Sequence, residues 1–282
     1  MRIKTKYKNQ YILSSLENKI WVRNFTLNEV PIDINHLLDT DLKTVLINEI
    51  HNDSSQIERI DTNDFNYPNC IIVSDGYKFD QKQNILKDLP SNVTIIGVND
   101  VLKKWSVKKQ MNFFVVNNPY KESISQLPIT HSYFPRCIAS TRTCKEFIKR
   151  YKGHIYKYTP VPQENYGYSK QNILYKIDDY RNPICASIGL TYRFNVKKLL
   201  LFCCDESFEN ERPGAEKLEN GLWHYPQHGM LHNIIDANLH WLKTAGTKIG
   251  NCSSGLKFKN ATYIPEEEIK SFFQEEGEKQ DG

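Results

Sequence analysis

The sequence predicts an α/β fold: a Rossmann-like, mostly parallel sheet with helices on both faces and a small N-terminal appendage. Short runs of apolar, largely β-branched residues alternate with stretches of helical character, which is typical of strands buried between helices. Each apolar run stops at small or polar residues. The chain has 282 residues, of which 39% are hydrophobic and 12% aromatic, so it can build a sizeable core.

The predicted strands are short apolar runs that end at a turn or a polar loop. They cover Lys43–Asn48, Cys70–Val73, Val93–Val98, Phe113–Val116, Cys137–Ala139, Ile155–Tyr158, Lys198–Cys203 and Lys248–Ile249. The predicted helices cover Gln81–Leu89, Val101–Val107, Pro183–Phe194 and Met230–Ala245. Alternation of this kind favours parallel pairing, because a parallel connection needs room for a crossover helix.

Three segments follow from this pattern. Residues 1–68 are predicted to form an N-terminal appendage and linker, 69–264 the Rossmann-like domain, and 265–282 an acidic polar tail. The regular alternation of strands and helices begins only at Cys70, which sets the first boundary.

Charge and hydropathy exclude several classes of protein. The 37 basic and 33 acidic residues leave a net charge of +4 without a concentrated basic face, so we expect no nucleic-acid partner. The cluster of Lys103, Lys104, Lys108 and Lys109 is interpreted as a solvated helix face. The longest apolar run, Leu199–Cys204, is too short to span a membrane. The seven cysteines are an odd number without paired CxxC spacing, which favours reduced thiols and a cytoplasmic location.

Polar residues follow the predicted strands, and in a parallel sheet they should meet at one edge. In an open α/β sheet ligands bind at that edge, near the point where the strand order reverses. The residues expected to converge there are Ser74, Asp75, Gly76, Asn99, Asn117, Asn118, Asp205 and Glu206.

The types of residue in this group indicate how they would bind a nucleotide. Gly76 allows a phosphate to approach the backbone, and Asn99 and Asn117 offer amide donors and acceptors to a ribose or a base. Asp205 follows the most hydrophobic strand and is suited to hold a substrate hydroxyl or a metal ion. Ordinary turns and caps explain the same residues equally well, so both interpretations remain open at this point.

Further candidates lie in the predicted loops. His224 and His228 flank an aromatic stretch, and either is a candidate general base for transfer to a hydroxyl. Ser140 and Thr141, beside Arg136 and Arg142, and Ser253 after the last predicted strand are candidate ligand contacts. The spacing of His228, His232, Asp236 and His240 indicates a polar helix face, and we predict no metal site there.

Two blocks of sequence resemble the DUF115 group. The first comprises Ile71–Gly76 and Ile95–Asp100, each a strand followed by small polar residues. The second comprises the helix Pro183–Tyr192 and the strand Val196–Asp205, which is similar to a late block of that group ending in an aspartate. The group contains archaeal 6-hydroxymethylpterin diphosphokinases (MptE-like) and flagellin-modifying, sialyltransferase-like Maf proteins.

This resemblance implies that 69–264 is a nucleotide-binding transferase domain. The expected activity is sialyltransferase-like transfer of a sugar from a nucleotide donor, such as a CMP-sugar, to a small-molecule or glycan acceptor. One alternative is a diphosphokinase that uses ATP and Mg²⁺ on a pterin-like alcohol. The other is a non-catalytic binding module on the same fold.

Overall fold

The structure is a computed structural model, and it describes most of the chain from residue 65 onward. The described residues are 2–7, 10–15, 19–23, 29–33, 44–45, 47–49, 51–52, 55–60, 65–128, 133–160, 176–177, 182–205, 207–255 and 257–274. For 2–33, 176–177 and 226–230 the description covers the backbone alone.

Strands and helices alternate along much of the described chain. The strands are β1 (Arg2–Tyr7), β2 (Gln10–Ser15), β3 (Lys19–Arg23), β4 (Glu29–Asp33), β5 (Glu58–Arg59), β6 (Asn69–Val73), β7 (Val93–Val98), β8 (Phe113–Val116), β9 (Arg136–Ser140), β10 (Ile155–Pro160), β11 (Lys176–Ile177), β12 (Lys198–Phe202), β13 (Glu216–Lys217), β14 (Trp223–His224), β15 (Lys248–Cys252) and β16 (Thr262–Tyr263). The α-helices are α1 (Phe79–Lys82), α2 (Val101–Lys104), α3 (Lys145–Arg150), α4 (Pro183–Arg193), α5 (Pro226–Thr244) and α6 (Ile269–Phe273). Short 3₁₀-helices cover Gln83–Asp88, Lys121–Gln126 and Glu266–Glu268.

The chain divides into two compact units, each built from two separate segments. Unit 1 comprises Met1–Asp61 and Val115–Pro183, and unit 2 comprises Thr62–Phe114 and Ile184–Gly282. The chain passes from unit 2 to unit 1 within β8. The predicted boundaries at 68 and 264 divide the chain differently. They cut the sequence into continuous stretches, whereas each unit combines two stretches that are distant in sequence.

Unit 2 contains a parallel sheet whose strands follow the order β7-β6-β12-β15-β16. Residues of β6 and β7 are all buried, as expected for strands covered on both faces. Beside the sheet, Phe65, Tyr67, Phe113 and Phe194 form an aromatic cluster with ring centroids 5.4–5.8 Å apart. This is the α/β, Rossmann-like arrangement that the sequence predicts.

Unit 1 contains two sheets of different kinds. Strands β1 to β4 pair in sequence order as an antiparallel sheet, which corresponds to the predicted N-terminal appendage. Strand β10 pairs in parallel with β9, and with β5 and β11.

The prediction of a strand at Lys43–Asn48 is wrong. The described residues 44–45, 47–49 and 51–52 are helical. Val45, Asn48, Glu49 and Asn52 are buried, and their spacing of three and four residues is that of one helix face. Three of these four side chains are polar, so the helical period is not visible as a hydrophobic pattern.

The segment predicted as an acidic tail includes ordered structure. The 3₁₀-helix Glu266–Glu268 leads into α6, where Ile269, Phe272 and Phe273 are 1%, 6% and 2% exposed. The acidic residues 266–268 obscured this short apolar helix in the sequence. Elsewhere, none of the helices within the described residues is long and apolar enough to cross a membrane.

Candidate functional site

The candidate site lies in unit 2, at the ends of three parallel strands. From β6 the chain continues to β7 on one side, and it returns later to β12 on the other side of β6. The strand order therefore reverses between β6 and β12, which is where α/β sheets bind their ligands.

The register of the strands brings their last residues to one level. Val73 pairs with Phe202 and with Gly97, and Phe202 pairs with Cys252. The loops that follow these strands therefore start side by side. They carry the predicted residues Ser74, Asp75, Gly76, Asn99, Asp205 and Ser253.

A cleft of about 570 Å³ opens at this edge of unit 2. This volume is within the range of small-molecule sites. Its walls are lined by Ser74, Asp75, Gly76, Tyr77, Lys78, Phe79, Asp80, Gln81, Asn99, Lys104, Ser207, Phe208, Glu209, Asn210, Arg212 and Tyr225. Four predicted residues therefore lie in the cleft, together with cationic and aromatic side chains that the sequence analysis did not select.

Gly76 is required by a close approach of two loops. Its N–H donates to the carbonyl of Cys203 at 3.0 Å. A Cβ at position 76 would lie 2.4 Å from that carbonyl oxygen and 2.5 Å from a carboxylate oxygen of Asp205. Because position 76 has no side chain, the loop after β6 can contact the loop after β12. Helix α1 begins three residues later, at Phe79.

Ser74 and Asn99 are linked across the ends of β6 and β7. The amide of Asn99 donates to the Ser74 hydroxyl oxygen at 3.0 Å. Asn99 has a φ of 56°, a left-handed conformation that asparagine tolerates better than most residues. This conformation starts the turn into α2.

Asp75 and Lys104 form an ion pair within the cleft. The Lys104 Nζ lies 2.9 Å from Asp75 Oδ2, and the two side chains are 36% and 20% exposed. Burial lowers the pKa of Lys104, but the hydrogen bond to Asp75 and the charges of Asp75, Asp80 and Asp100 together outweigh burial, so the pKa lies above its ordinary value. The ammonium therefore keeps its charge and remains accessible to an anion in the cleft.

Asp205 is buried beneath the cleft, and it is not among the described residues that line it. Its carboxylate accepts a hydrogen bond from the N–H of Gly255. Burial raises the pKa of Asp205, and hydrogen bonds from neighbouring N–H groups, Gly255 first among them, lower it by less. In this position Asp205 holds the loops that contain Gly76 and Gly255.

Ser253 also supports the loops. It is buried, and its hydroxyl oxygen accepts a hydrogen bond from the N–H of Cys204 at 3.0 Å. The residue thus ties the end of β15 to the end of β12. Glu206 lies outside the described residues.

His224 lies in the hairpin formed by β13 and β14. Its side chain is 11% exposed, and its Nε2 lies 4.0 Å from Glu216 Oε2. The Nδ1 atom is buried without a hydrogen-bond partner among the described residues. His224 is next to Tyr225, which lines the cleft, but does not itself line the cleft. His228 falls in α5, and its side chain lies outside the described residues.

The histidine and aspartate stripe of α5 packs against a loop. His232 stacks on Phe258 with ring centroids 4.3 Å apart, and Asp236 accepts a hydrogen bond from the N–H of Asn260 at 2.9 Å. No group of three potential metal ligands occurs among the described residues. These contacts are structural.

The other predicted residues lie in unit 1. The carbonyl oxygen of Asn118 accepts a hydrogen bond from the N–H of Cys144, and its side-chain oxygen accepts one from the N–H of Tyr120. The Ser140 hydroxyl oxygen accepts a bond from the N–H of Arg142 at 3.2 Å. Asn117 and Thr141 are buried. These residues organise the turns after β8 and β9, and their role in ligand binding stays a prediction.

The amides of Asn48 and Asn52, among the helical residues, hold the turns after β8 and β9 in unit 1. Asn52 donates to the carbonyls of Thr141 and Thr143 at 3.1 and 2.7 Å. Asn48 donates to the carbonyls of Pro119 at 2.8 Å and of Arg142 at 3.3 Å. Neither residue was predicted from the sequence, because Asn48 was assigned to a strand and Asn52 to an irregular connection.

Lys104 was also misinterpreted from the sequence, as part of a solvated helix face. Lys103 is exposed, whereas Lys104 turns into the cleft. The available signal was its position: Lys104 ends the four-residue helix α2, which directly follows β7 and Asn99.

Comparison with known proteins supports the fold. A MAf glycosyltransferase from Magnetospirillum magneticum AMB-1 matches 76% of this chain with a TM-score of 0.56 and 14% sequence identity. The match covers 35% of that protein, so this chain corresponds to a minor part of its length. At this identity the likeness shows a shared, glycosyltransferase-like fold. No family model and no curated protein matches the chain, so membership of the DUF115 group stays a prediction.

Proposed function

We propose that this chain is a nucleotide-dependent transferase of the sialyltransferase-like kind, which moves a sugar from a nucleotide donor to a hydroxyl acceptor. The observation that carries the proposal is the cleft at the strand-order reversal, which combines an accessible lysine with an amide and aromatic side chains. A fold shared with a MAf glycosyltransferase supports it.

In this proposal the phosphate of the donor lies near Lys104. Its ammonium already neutralises one oxyanion, Asp75, and a phosphate would take the place of that partner or share the charge. Asn99 and Ser74 then contact the ribose or the phosphate through their amide and hydroxyl groups. Lys78 and Arg212, which line the same cleft, add positive charge.

The transfer requires one bond to form while another breaks. The bond between the anomeric carbon and the phosphate oxygen breaks, and the electron pair leaves with the phosphate, whose new charge Lys104 stabilises. The acceptor hydroxyl oxygen bonds to the anomeric carbon and gives its proton to a base. His224 is the candidate base within the described residues, with Asp205 fixing the loops below.

A thermal-shift screen with CMP, UDP, GDP, CTP and ATP, each with and without Mg²⁺, tests the proposal. A bound nucleotide stabilises the folded state by about 2.7 kcal/mol at a hundredfold excess over its Kd. A preference for a cytidine nucleotide supports the sialyltransferase-like sugar transferase. Stabilisation by ATP with Mg²⁺ alone supports the diphosphokinase, and no response to any nucleotide supports the non-catalytic module.

Two neighbouring lysines provide a matched control for this screen. Lys104→Met removes one of the cations that line the cleft, whereas Lys103→Met removes an exposed cation from the same helix. We expect Lys104→Met to weaken nucleotide binding by about 1.5–3 kcal/mol, the range for a hydrogen bond to a charged group. Lys103→Met should bind as the wild type does, and equal losses in both variants would contradict the proposal.

A further inference from the structure

One wall of the cleft is built from aromatic and planar side chains. Phe208 and Tyr225 have ring centroids 5.3 Å apart, with their planes inclined by 50°. The guanidinium of Arg212 lies 4.3 Å from the centre of the Phe208 ring. We call Phe208, Arg212 and Tyr225 the aromatic wall; all three line the cleft.

The backbone holds this wall in place. Phe208 and Trp223 exchange two backbone hydrogen bonds, at 3.0 and 2.8 Å, in an antiparallel bridge. Tyr225 comes two residues after Trp223 and directly precedes α5. The rings thus belong to a braced segment rather than to a free loop, so they are in position before a ligand arrives.

The wall differs from the core in its exposure. Phe208 and Tyr225 are half-buried, and Arg212 is exposed, whereas Phe202 and Phe113 are fully buried. Half-buried rings that line a cleft present part of their surface to a ligand. A guanidinium beside a ring adds a second planar group, which can itself stack on aromatic groups.

We infer that the aromatic wall binds the nucleobase of the donor, by stacking on Phe208, Arg212 and Tyr225. This inference rests on the proposed function, and it assigns a part of the ligand to a part of the cleft. Bases stack on aromatic rings and on arginine planes in many nucleotide-binding proteins. Lys104 belongs to the same cleft, whose volume of about 570 Å³ has room for a base and a phosphate together.

Two substitutions each remove one planar group from the aromatic wall, and they differ in what else they change. Phe208→Leu removes the ring but keeps an apolar side chain and changes no charge. Arg212→Lys keeps the charge on an exposed side chain but removes the planar group. Lys217→Met is the matched control, because Lys217 is an exposed cation on the neighbouring β13–β14 hairpin, 5.8 Å from the Trp223 ring, and does not line the cleft.

Titration calorimetry with each of the five nucleotides, and with ribose 5-phosphate as a probe without a base, measures the effect. We expect Phe208→Leu and Arg212→Lys to raise the Kd of the bound nucleotide roughly 5- to 150-fold, the range for loss of one stacked base. Their Kd for ribose 5-phosphate should stay at the wild-type value, and Lys217→Met should change neither Kd. If Phe208→Leu lowers the melting temperature, its weaker binding could result from unfolding, and the Kd of Arg212→Lys is then the test of the inference.

The outcomes separate the inference from the proposed function. Nucleotide binding that survives unchanged in both variants overturns the inference and leaves the proposed function intact. An equal loss for ribose 5-phosphate also overturns it, because the wall would then be an anion site. If the wild type binds none of the five nucleotides, the proposed function fails and the inference fails with it.

Discussion

At the scale of single residues, Asn99 combines a backbone constraint with a position in the cleft. Its left-handed φ of 56° disfavours residues other than glycine and asparagine, and its amide donates to Ser74. These two properties can be separated by substitution, because glycine accepts the backbone conformation without supplying the amide.

We expect Asn99→Gly to remain near wild-type stability and Asn99→Ala to lose about 1 kcal/mol through backbone strain. Both should weaken nucleotide binding by about 1–3 kcal/mol if the amide contacts the ligand. Urea unfolding measures the first effect and calorimetry the second. Weaker binding in the alanine variant alone would show that Asn99 acts only through the backbone.

Asp205 differs from Asn99 because its side chain is ionisable. It is buried, and burial raises its pKa. The folded protein keeps the proton on Asp205 to a higher pH than the unfolded chain does. Stability from this group is therefore full below the ordinary aspartate pKa, and it is lost as the pH rises through the raised value.

The variant Asp205→Asn removes this titration and keeps an acceptor for the N–H of Gly255. We expect it to fold with a midpoint near that of the wild type below the ordinary aspartate pKa of about 3.9, and to become the more stable of the two over the range above that value. Urea unfolding across this range gives the difference. A difference that moves in favour of the wild type would mean that the ionised carboxylate is stabilised.

At the scale of elements, the β13–β14 hairpin places His224 next to the cleft, but the imidazole does not line the cleft. Gly214 and Gly221, with φ of 78° and 86°, form the turns of this segment. In our proposal the imidazole turns toward the cleft when the substrates bind, while the bridge between Phe208 and Trp223 keeps the hairpin backbone in place. Its role as a base is therefore tied to this rearrangement of the side chain.

We expect His224→Ala to lose on the order of 10²–10⁴-fold in turnover while nucleotide binding persists. His240→Ala is the control, because His240 is an exposed histidine on α5. Single-turnover kinetics with saturating donor separates the chemical step from binding. Full turnover in the His224 variant would leave the hairpin with a packing role and assign the base elsewhere.

A second prediction at this scale concerns the contribution of helix α6 to stability. Phe273→Ala should cost about 3–5 kcal/mol, because its ring is 2% exposed. Lys270→Ala, at an exposed position on the same helix, should change the free energy of unfolding by less than about 0.5 kcal/mol. Equal, small effects would mean that residues 265–274 contribute as little as a polar tail.

The elements also show what the sequence can and cannot predict. Strands β6, β7 and β12 are found within two residues of their predicted bounds, because apolar runs between helices have few other structural solutions. The helix around Asn48 and Asn52 was missed because its buried face bonds to backbone carbonyls instead of packing apolar groups. Lys104 was missed because its environment depends on Asp75, twenty-nine residues away in sequence.

At the scale of the whole molecule, the α/β class follows from local patterns, whereas the division into two units does not. Each unit is assembled from segments that are distant in sequence, and the strand order in unit 2 is set by long-range pairing. Four predicted residues of unit 2, Ser74, Asp75, Gly76 and Asn99, line one cleft, whereas Asn117, Asn118, Ser140 and Thr141 belong to unit 1.

The seven cysteines allow the integrity of both units to be followed in one experiment. All seven are buried thiols outside any disulfide, with Cys137 and Cys144 in unit 1 and the other five in unit 2. Burial raises the pKa of Cys252 to about 11, and it raises the pKa of Cys70, Cys137 and Cys203 further. Because the thiolate is the reactive form, these thiols have both restricted access and a small reactive fraction at pH 8.

We expect a thiol reagent to modify none of the seven in the native protein during the time that free cysteine needs to react, and all seven in denaturant. Mass spectrometry after partial modification assigns each label to unit 1 or unit 2. Because modification requires opening, a nucleotide that binds the cleft of unit 2 should slow labelling of Cys203, Cys204 and Cys252 in dilute denaturant. Rapid native labelling of any of these three would mean that the strand ends beneath the cleft are not packed as described.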